Sequence, residues 1–183
     1  MTKKFESKEL MLEWCAKQFN SSNELAFEFG VCTGYSISII RNNYLGPIYG
    51  FDSFEGLPEF WRDGFDKGYF KTDSIPKVKG VEIIVGLFQD TLKYFLNNNI
   101  KETIKLVHFD ADLYSSTIYC LNEIKDYLSN ECVFIFDEYE NYPGWEDHEY
   151  KAFNEWLAKN KDISAERIAE VINNEQVAFK VTI

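Results

Sequence analysis

The sequence predicts an α/β fold: a doubly wound, mostly parallel sheet of seven strands with an antiparallel C-terminal strand. Three observations carry this. Short apolar runs alternate with helical patterns along most of the chain. The runs are almost continuously apolar, as strands covered on both faces must be. The last two are β-rich and separated by Asn173-Asn174-Glu175, the spacing of a hairpin. The 183 residues suit a single domain, 1–183.

The elements follow in order. Within an N-terminal region, 1–23, the residues Leu10, Met11, Trp14, Cys15 and Phe19 share a helical face, which predicts an amphipathic helix over 7–19. Strands are expected at Leu25 to Phe29, Ile48 to Phe51, Val81 to Val85, Ile104 to Phe109, Cys132 to Phe136, Ala165 to Ile172 and Gln176 to Ile183. Helices are expected near 35–43, 90–98, 114–129 and 146–160. The segment 53–80, with Gly56, Gly64, Gly68, Gly80, two prolines and several aromatics, breaks the rhythm. Connections this long are usually functional, so it is expected to be a lid or acceptor-binding loop.

Composition narrows the function. An apolar fraction of 45% with 16 Phe and 11 Tyr argues for a packed core. No run approaches the length of a membrane span, and the charged N-terminus does not read as a secretory signal, so a cytoplasmic protein is expected. A net charge of −11 opposes nucleic-acid binding and suits a cationic ligand or metal. Cys15, Cys32, Cys120 and Cys132 lie far apart and only two His are present, which argues against a zinc site or a disulfide framework.

The first strand runs into "EFGVCTGYS", residues 28–36. Gly30 and Gly34 permit a sharp turn and close backbone approach, and the following helix offers free N–H groups. Asp52 ends the next strand, where a carboxylate can accept ribose hydroxyls. The spacing lacks the third glycine of the dinucleotide fingerprint, so an adenosine-containing ligand without a pyrophosphate fits better; a tight turn beside an incidental acid is the plainer alternative. Two further strands end in acids, Asp110 and Asp112 on one, Asp137 and Glu138 on the other. Four crowded carboxylates resist ionising together, and a hard divalent cation such as Mg2+ would resolve the conflict. Tyr139, Tyr142, Trp145 and His148 read as an aromatic patch at the mouth of such a site.

"EFGVCTGYS" resembles the first motif of class I S-adenosylmethionine (SAM) methyltransferases, with a more distant similarity to catechol O-methyltransferase. Together with "IYGFDSFEGLPEFW", "VGLFQDTL", "HFDADLYSST" and "FDEYENYPGW", it resembles the macrocin O-methyltransferase family. The resemblance implies a Rossmann-like fold and a Mg2+-dependent O-methyltransferase acting on a small-molecule hydroxyl, that of a sugar or of a glycosylated or phenolic natural product. It implies that Glu28 and Gly30 line the methionine part of SAM, with Gly34 in the turn and Tyr35 and Ser36 near its carboxylate. Asp52 would hold the ribose, Phe88 and Gln89 the adenine, and Asp110 would serve both donor and metal. Asp110, Asp137 and Glu138 would be the metal ligands, although the family usually has aspartate where Glu138 stands.

Catechol methyltransferases place a lysine base where this chain has Leu113, so the resemblance turns to Asp112, with a helix cap or supporting acid as its other roles; His148 is the remaining candidate base. The stretch before the glycine motif is shorter than in the family, which implies a reduced cover over SAM. Two other readings are carried: a non-catalytic SAM-binding module and a nicotinamide-dependent dehydrogenase. The acceptor's identity and any homo-oligomerisation stay open.

Overall fold

The computed structural model describes residues 1–183. Eight strands form one sheet, β1 (Lys3–Phe5), β2 (Leu25–Phe29), β3 (Ile48–Asp52), β4 (Val81–Val85), β5 (Ile104–Phe109), β6 (Leu128–Phe136), β7 (Ser164–Val171) and β8 (Val177–Thr182). Five helices connect them: α1 (Lys8–Gln18), α2 (Tyr35–Asn43), α3 (Phe88–Asn99), α4 (Tyr114–Ile124) and α5 (Glu149–Lys159). The strand order is β1-β7-β8-β6-β5-β2-β3-β4, with β8 antiparallel to both its neighbours and every other pair parallel. No helix is long and apolar enough to cross a membrane.

The sheet has one strand more than the seven expected. β1 is only three residues, "KKF", and pairs Lys3 with Ala169 and Phe5 with Val171 along the edge. Backbone bonding to an edge requires no apolar period, so nothing in its side chains announces it. β6 begins at Leu128 rather than Cys132, because α4 ends early and a short 3-10 turn at Lys125–Tyr127 hands the chain to the strand. At the N-terminus, Ser7 caps α1 by accepting from the Leu10 amide at 3.5 Å. The helix buries Met11, Leu12, Cys15 and Ala16, whereas Leu10 of the expected stripe is exposed.

The two faces of the sheet carry separate cores. On one, Met11, Cys15, Ile37 and Ile40 of α1 and α2 cover Ala26, Leu106, Val133 and Ile135. On the other, Leu92, Phe95, Cys120, Leu121, Phe153 and Trp156 of α3, α4 and α5 cover Phe27, Phe29, Phe51, Phe109, Phe134 and Phe136. This explains the phenylalanine content: Phe109 stacks on Phe136 with ring centroids at 4.9 Å and on Phe29 at 5.6 Å. Each such fully buried ring contributes on the order of 2–3 kcal/mol of hydrophobic stabilisation. Edge strand β4 departs from the expectation of continuous burial, with Glu82 and Val85 exposed.

From β2 the chain proceeds outward through β3 and β4, then returns to place β5 on the other side of β2. Parallel α/β sheets bind ligands at such a switch point, beyond the carboxyl ends of the strands. Three amides lock those ends: Gly30 donates to Phe51, Asp110 to Phe29 and Asp137 to Phe109, each at 2.9 Å.

Candidate active site

A cavity of about 340 Å³ opens at this switch point. Its donor side is built by the turn after β2. Gly30 has φ +93°, and a Cβ placed there would lie 1.8 Å from the Asp110 carbonyl oxygen, so this position excludes any side chain on two grounds. Gly34, with φ +80°, is the N-cap of α2 and passes beneath Pro76, whose Cβ would be 2.9 Å from an added Cβ.

Asp52 holds this turn in place. Its Oδ2 accepts from the Val31 and Cys32 amides, both at 2.8 Å, and its Oδ1 accepts from the Phe54 amide at 2.8 Å. A carboxylate has about four acceptor sites, so one remains for a ligand hydroxyl. The ribose residue expected from the sequence is therefore also the clamp of the glycine turn. Tyr35, Ser36, Phe88 and Gln89 line the cavity. Phe88 also packs edge-on against Phe29 at 5.4 Å, joining the core to the cavity wall.

Glu28 departs from its expected place. It is fully buried, is not among the cavity-lining residues, accepts from Ser36 Oγ at 3.0 Å and contacts His108 Nδ1 at 2.8 Å. His108 Nε2 in turn lies 3.6 Å from Asp137 Oδ1. Burial alone would lower the pKa of His108, but its carboxylate neighbours raise it to about 10, with Glu28 facing one ring nitrogen and Asp137 the other. Lys8 of α1, unsuspected from the sequence, reaches the same cluster and donates to Asp137 Oδ2 at 2.9 Å. Asp137 is thereby held well below the usual carboxylate range despite its burial.

The remaining acids behave oppositely. Asp110, Asp112 and Glu138 have ligand oxygens within 4.8 Å of one another, and burial together with mutual repulsion pushes all three carboxyls up. Glu138 Oε2 is buried without a hydrogen-bond partner. An all-oxygen set with an orphaned buried oxygen fits a hard divalent cation. Asp112 adopts φ +60°, and the N-cap position of α4 is held by Leu113 with no side-chain cap bond, so Asp112 is not the helix cap.

Glu149 is a second residue missed by sequence reading. Fully buried at the start of α5, it accepts from the Ala111 amide at 3.4 Å and from the Glu138 amide at 3.2 Å, tying the ends of β5 and β6 together. Burial raises its pKa to about 8. The signal was present: Glu149, Ala152, Phe153 and Trp156 fall on one helical stripe, which puts an acid at a core position.

The expected aromatic mouth is corrected. Tyr139 is buried against Phe136, Phe153 and Phe179, and neither it, Tyr142, Trp145 nor His148 lines the cavity. His148 instead stacks on Tyr142 at 6.3 Å and meets Trp61 edge-on, which leaves Asp112 as the candidate base within the cavity wall. The apolar wall comes from the 53–80 segment. Leu57, Pro58 and Phe70 line the cavity, while Leu57 and Trp61 pack with Leu113 and Tyr142 as a small core of their own. Arg62 anchors that packing, its guanidinium 3.9 Å from the Trp61 ring and 3.2 Å from Glu175.

Comparisons with known proteins agree with this architecture. No curated protein matches the sequence significantly. Among solved structures, the chain is similar to the calicheamicin methyltransferase CalS11, at 21% identity and a TM-score of 0.77 over 94% of this chain and 77% of that one. It is similar to the O-methyltransferase NovP, at 20% identity and a TM-score of 0.68 over 94% and 78%. It also resembles the O-methyltransferase TomG from Streptomyces achromogenes, solved with SAM, at 18% identity and a TM-score of 0.62 over 96% and 78%. A family model described as a methyltransferase domain matches residues 27–139, the span from β2 through both acid-bearing strand ends. The chain belongs to the methyltransferase domain family, on the doubly wound fold that its motifs led us to expect.

Proposed function

We propose that this protein is a SAM-dependent, Mg2+-assisted O-methyltransferase acting on a hydroxyl of a small molecule, formed by one domain over 1–183 with residues 53–80 as the acceptor-side wall. The observation that carries the reading is a single cavity lined on one side by the glycine turn and Asp52 and on the other by Asp110, Asp112, Asp137 and Glu138. Its volume of about 340 Å³ suits a small ligand. A sugar or a glycosylated or phenolic natural product as acceptor is supported by similarity to CalS11, described as a TDP-rhamnose 3'-O-methyltransferase of calicheamicin biosynthesis, and to TomG of tomaymycin synthesis.

When bound, SAM supplies a methyl group on a positively charged sulfur. Gly30 lets the backbone approach the methionine part, and Tyr35 and Ser36 border its carboxylate. Asp52 accepts from the ribose while clamping the turn, and Phe88 and Gln89 bound the adenine. The net negative cavity favours a cationic donor over its neutral product.

Asp110, Asp137 and Glu138 would hold the divalent cation, which when bound lowers the pKa of an acceptor hydroxyl. Asp112 takes the hydroxyl proton, its carboxyl raised towards the range useful for a base by burial and by neighbouring acids. Leu57, Pro58 and Phe70 exclude water and position the acceptor; holding two reactants in line can contribute roughly 7–11 kcal/mol of barrier lowering.

Isothermal titration with S-adenosylhomocysteine tests the donor half. Binding in the micromolar range, weakened at least ~10-fold by Asp52→Ala, is expected from loss of both the ribose acceptor and the turn clamp. Heat with NAD and none with S-adenosylhomocysteine would refute it. Methyl transfer to a panel of sugar and phenolic acceptors tests the other half: Mg2+ stimulates turnover and Asp110→Asn abolishes it. Unchanged turnover in that variant would remove the metal from the account.

A further inference from the structure

Lys8 stands at the first turn of α1, directly after the Ser7 cap. A cation there has the wrong sign for the helix dipole, so local helix energetics do not account for it. Its tertiary contact does. The ammonium lies 2.9 Å from Asp137 Oδ2, and its side chain is 31% exposed against 6% for Asp137. The other Asp137 oxygen faces His108 Nε2 at 3.6 Å. Asp137 Oδ2 is thus paired with a cation that the protein carries itself, whereas Asp137 Oδ1 and Glu138 Oε2 are both buried without a hydrogen-bond partner. The acids accordingly divide into a group of Asp110, Asp112 and Glu138 and a group of His108, Asp110 and Asp137.

We propose that the Lys8 ammonium and a divalent cation compete for Asp137, so that α1 delivers an internal counter-ion into the acid cluster. A metal ion that takes Asp137 Oδ2 as a ligand must displace Lys8, and one that takes Oδ1 must share the carboxylate with the ammonium. The same turn of α1 touches the donor side of the cavity, since Tyr35 Oη donates to Glu9 at 3.4 Å. Metal binding and the docking of the first helix are thereby linked. Removing the ammonium leaves Asp137 Oδ2 buried without its counter-ion, which makes a divalent ion a stronger partner.

The inference rests on the metal reading above, and titration of the full chain with Mn2+ separates the two. Lys8→Met and Lys8→Gln are expected to bind Mn2+ about 10-fold tighter than wild type, because the competing charge is gone. Lys8→Arg should stay near wild type, and Asp137→Asn placed on Lys8→Met should erase the gain. Equal or weaker binding in Lys8→Met and Lys8→Gln overturns the competition and leaves the metal site standing; no binding in any variant overturns both. A second measurement uses unmodified protein: acylation of Lys8 by an amine reagent, followed by mass spectrometry, should accelerate several-fold with saturating Mn2+. An unchanged rate overturns the proposal.

Discussion

The two halves of the sheet's carboxyl edge are built on opposite principles. In the β2 and β3 half, the one acid that lines the cavity, Asp52, has both oxygens engaged by three backbone amides and holds the glycine turn in place. In the β5 and β6 half, Asp110, Asp112 and Glu138 repel one another, two carboxylate oxygens, Asp137 Oδ1 and Glu138 Oε2, have no hydrogen-bond partner, and only Asp137 has cations beside it, Lys8 and His108. The first half is preorganised by the fold itself. The second is a store of electrostatic conflict that a bound cation would relieve, and crowded buried acids of this kind cost stability.

The largest effect should come from the seam where the halves meet. Gly30→Ala forces a Cβ to within 1.8 Å of the Asp110 carbonyl oxygen, at a backbone φ of +93°. A loss of more than about 3 kcal/mol is expected from combined overpacking and strain, together with loss of S-adenosylhomocysteine binding. Chemical denaturation and titration measure both; a stable variant that still binds would show that the seam is not shared.

Glu149 offers a smaller break, confined to the acid half. Glu149→Ala strips the acceptor from the Ala111 and Glu138 amides, for an expected cost of about 2–4 kcal/mol. Affinity for S-adenosylhomocysteine should change much less than stability, because Asp52 and its turn are untouched. Equal losses in both would contradict the division into halves.

A pH series sharpens the electrostatics. His108 has its pKa raised to about 10, so its charge stabilises the fold fully below the unfolded value near 6.5, and that contribution is lost as pH rises through about 10. Melting temperatures of wild type and His108→Gln should therefore differ most below about pH 6.5 and converge towards pH 10. A gap that widens with pH would mean that the buried imidazole is neutral in the native protein.

These halves were unequally legible in the sequence. The glycine turn, Asp52 and the acids at the ends of β5 and β6 follow from local patterns, because a strand's end and a turn are both local events. The partners that set their electrostatics are not local. Lys8 reads as an ordinary surface charge on a short helix, and only the packing of α1 brings it 2.9 Å from Asp137. Glu28 was legible as a motif residue but not as the buried partner of Ser36 and His108. The aromatic residues after β6 misled for the same reason: their composition suits a binding site, yet Tyr139 serves the core and His148 sits behind Trp61 and Tyr142. β1 escaped because edge pairing of "KKF" uses backbone bonds alone.

The central claim is that one cavity joins a finished donor half to an acid half that takes a cation. Crystals grown with S-adenosylhomocysteine and Mn2+, measured at the manganese absorption edge, test it most directly. The nucleoside is expected against Asp52 and Phe88, with an anomalous peak contacted by Asp110 and Glu138 in the same cavity. A nucleoside bound elsewhere, or a cavity holding the nucleoside while its acids take no manganese, would contradict it.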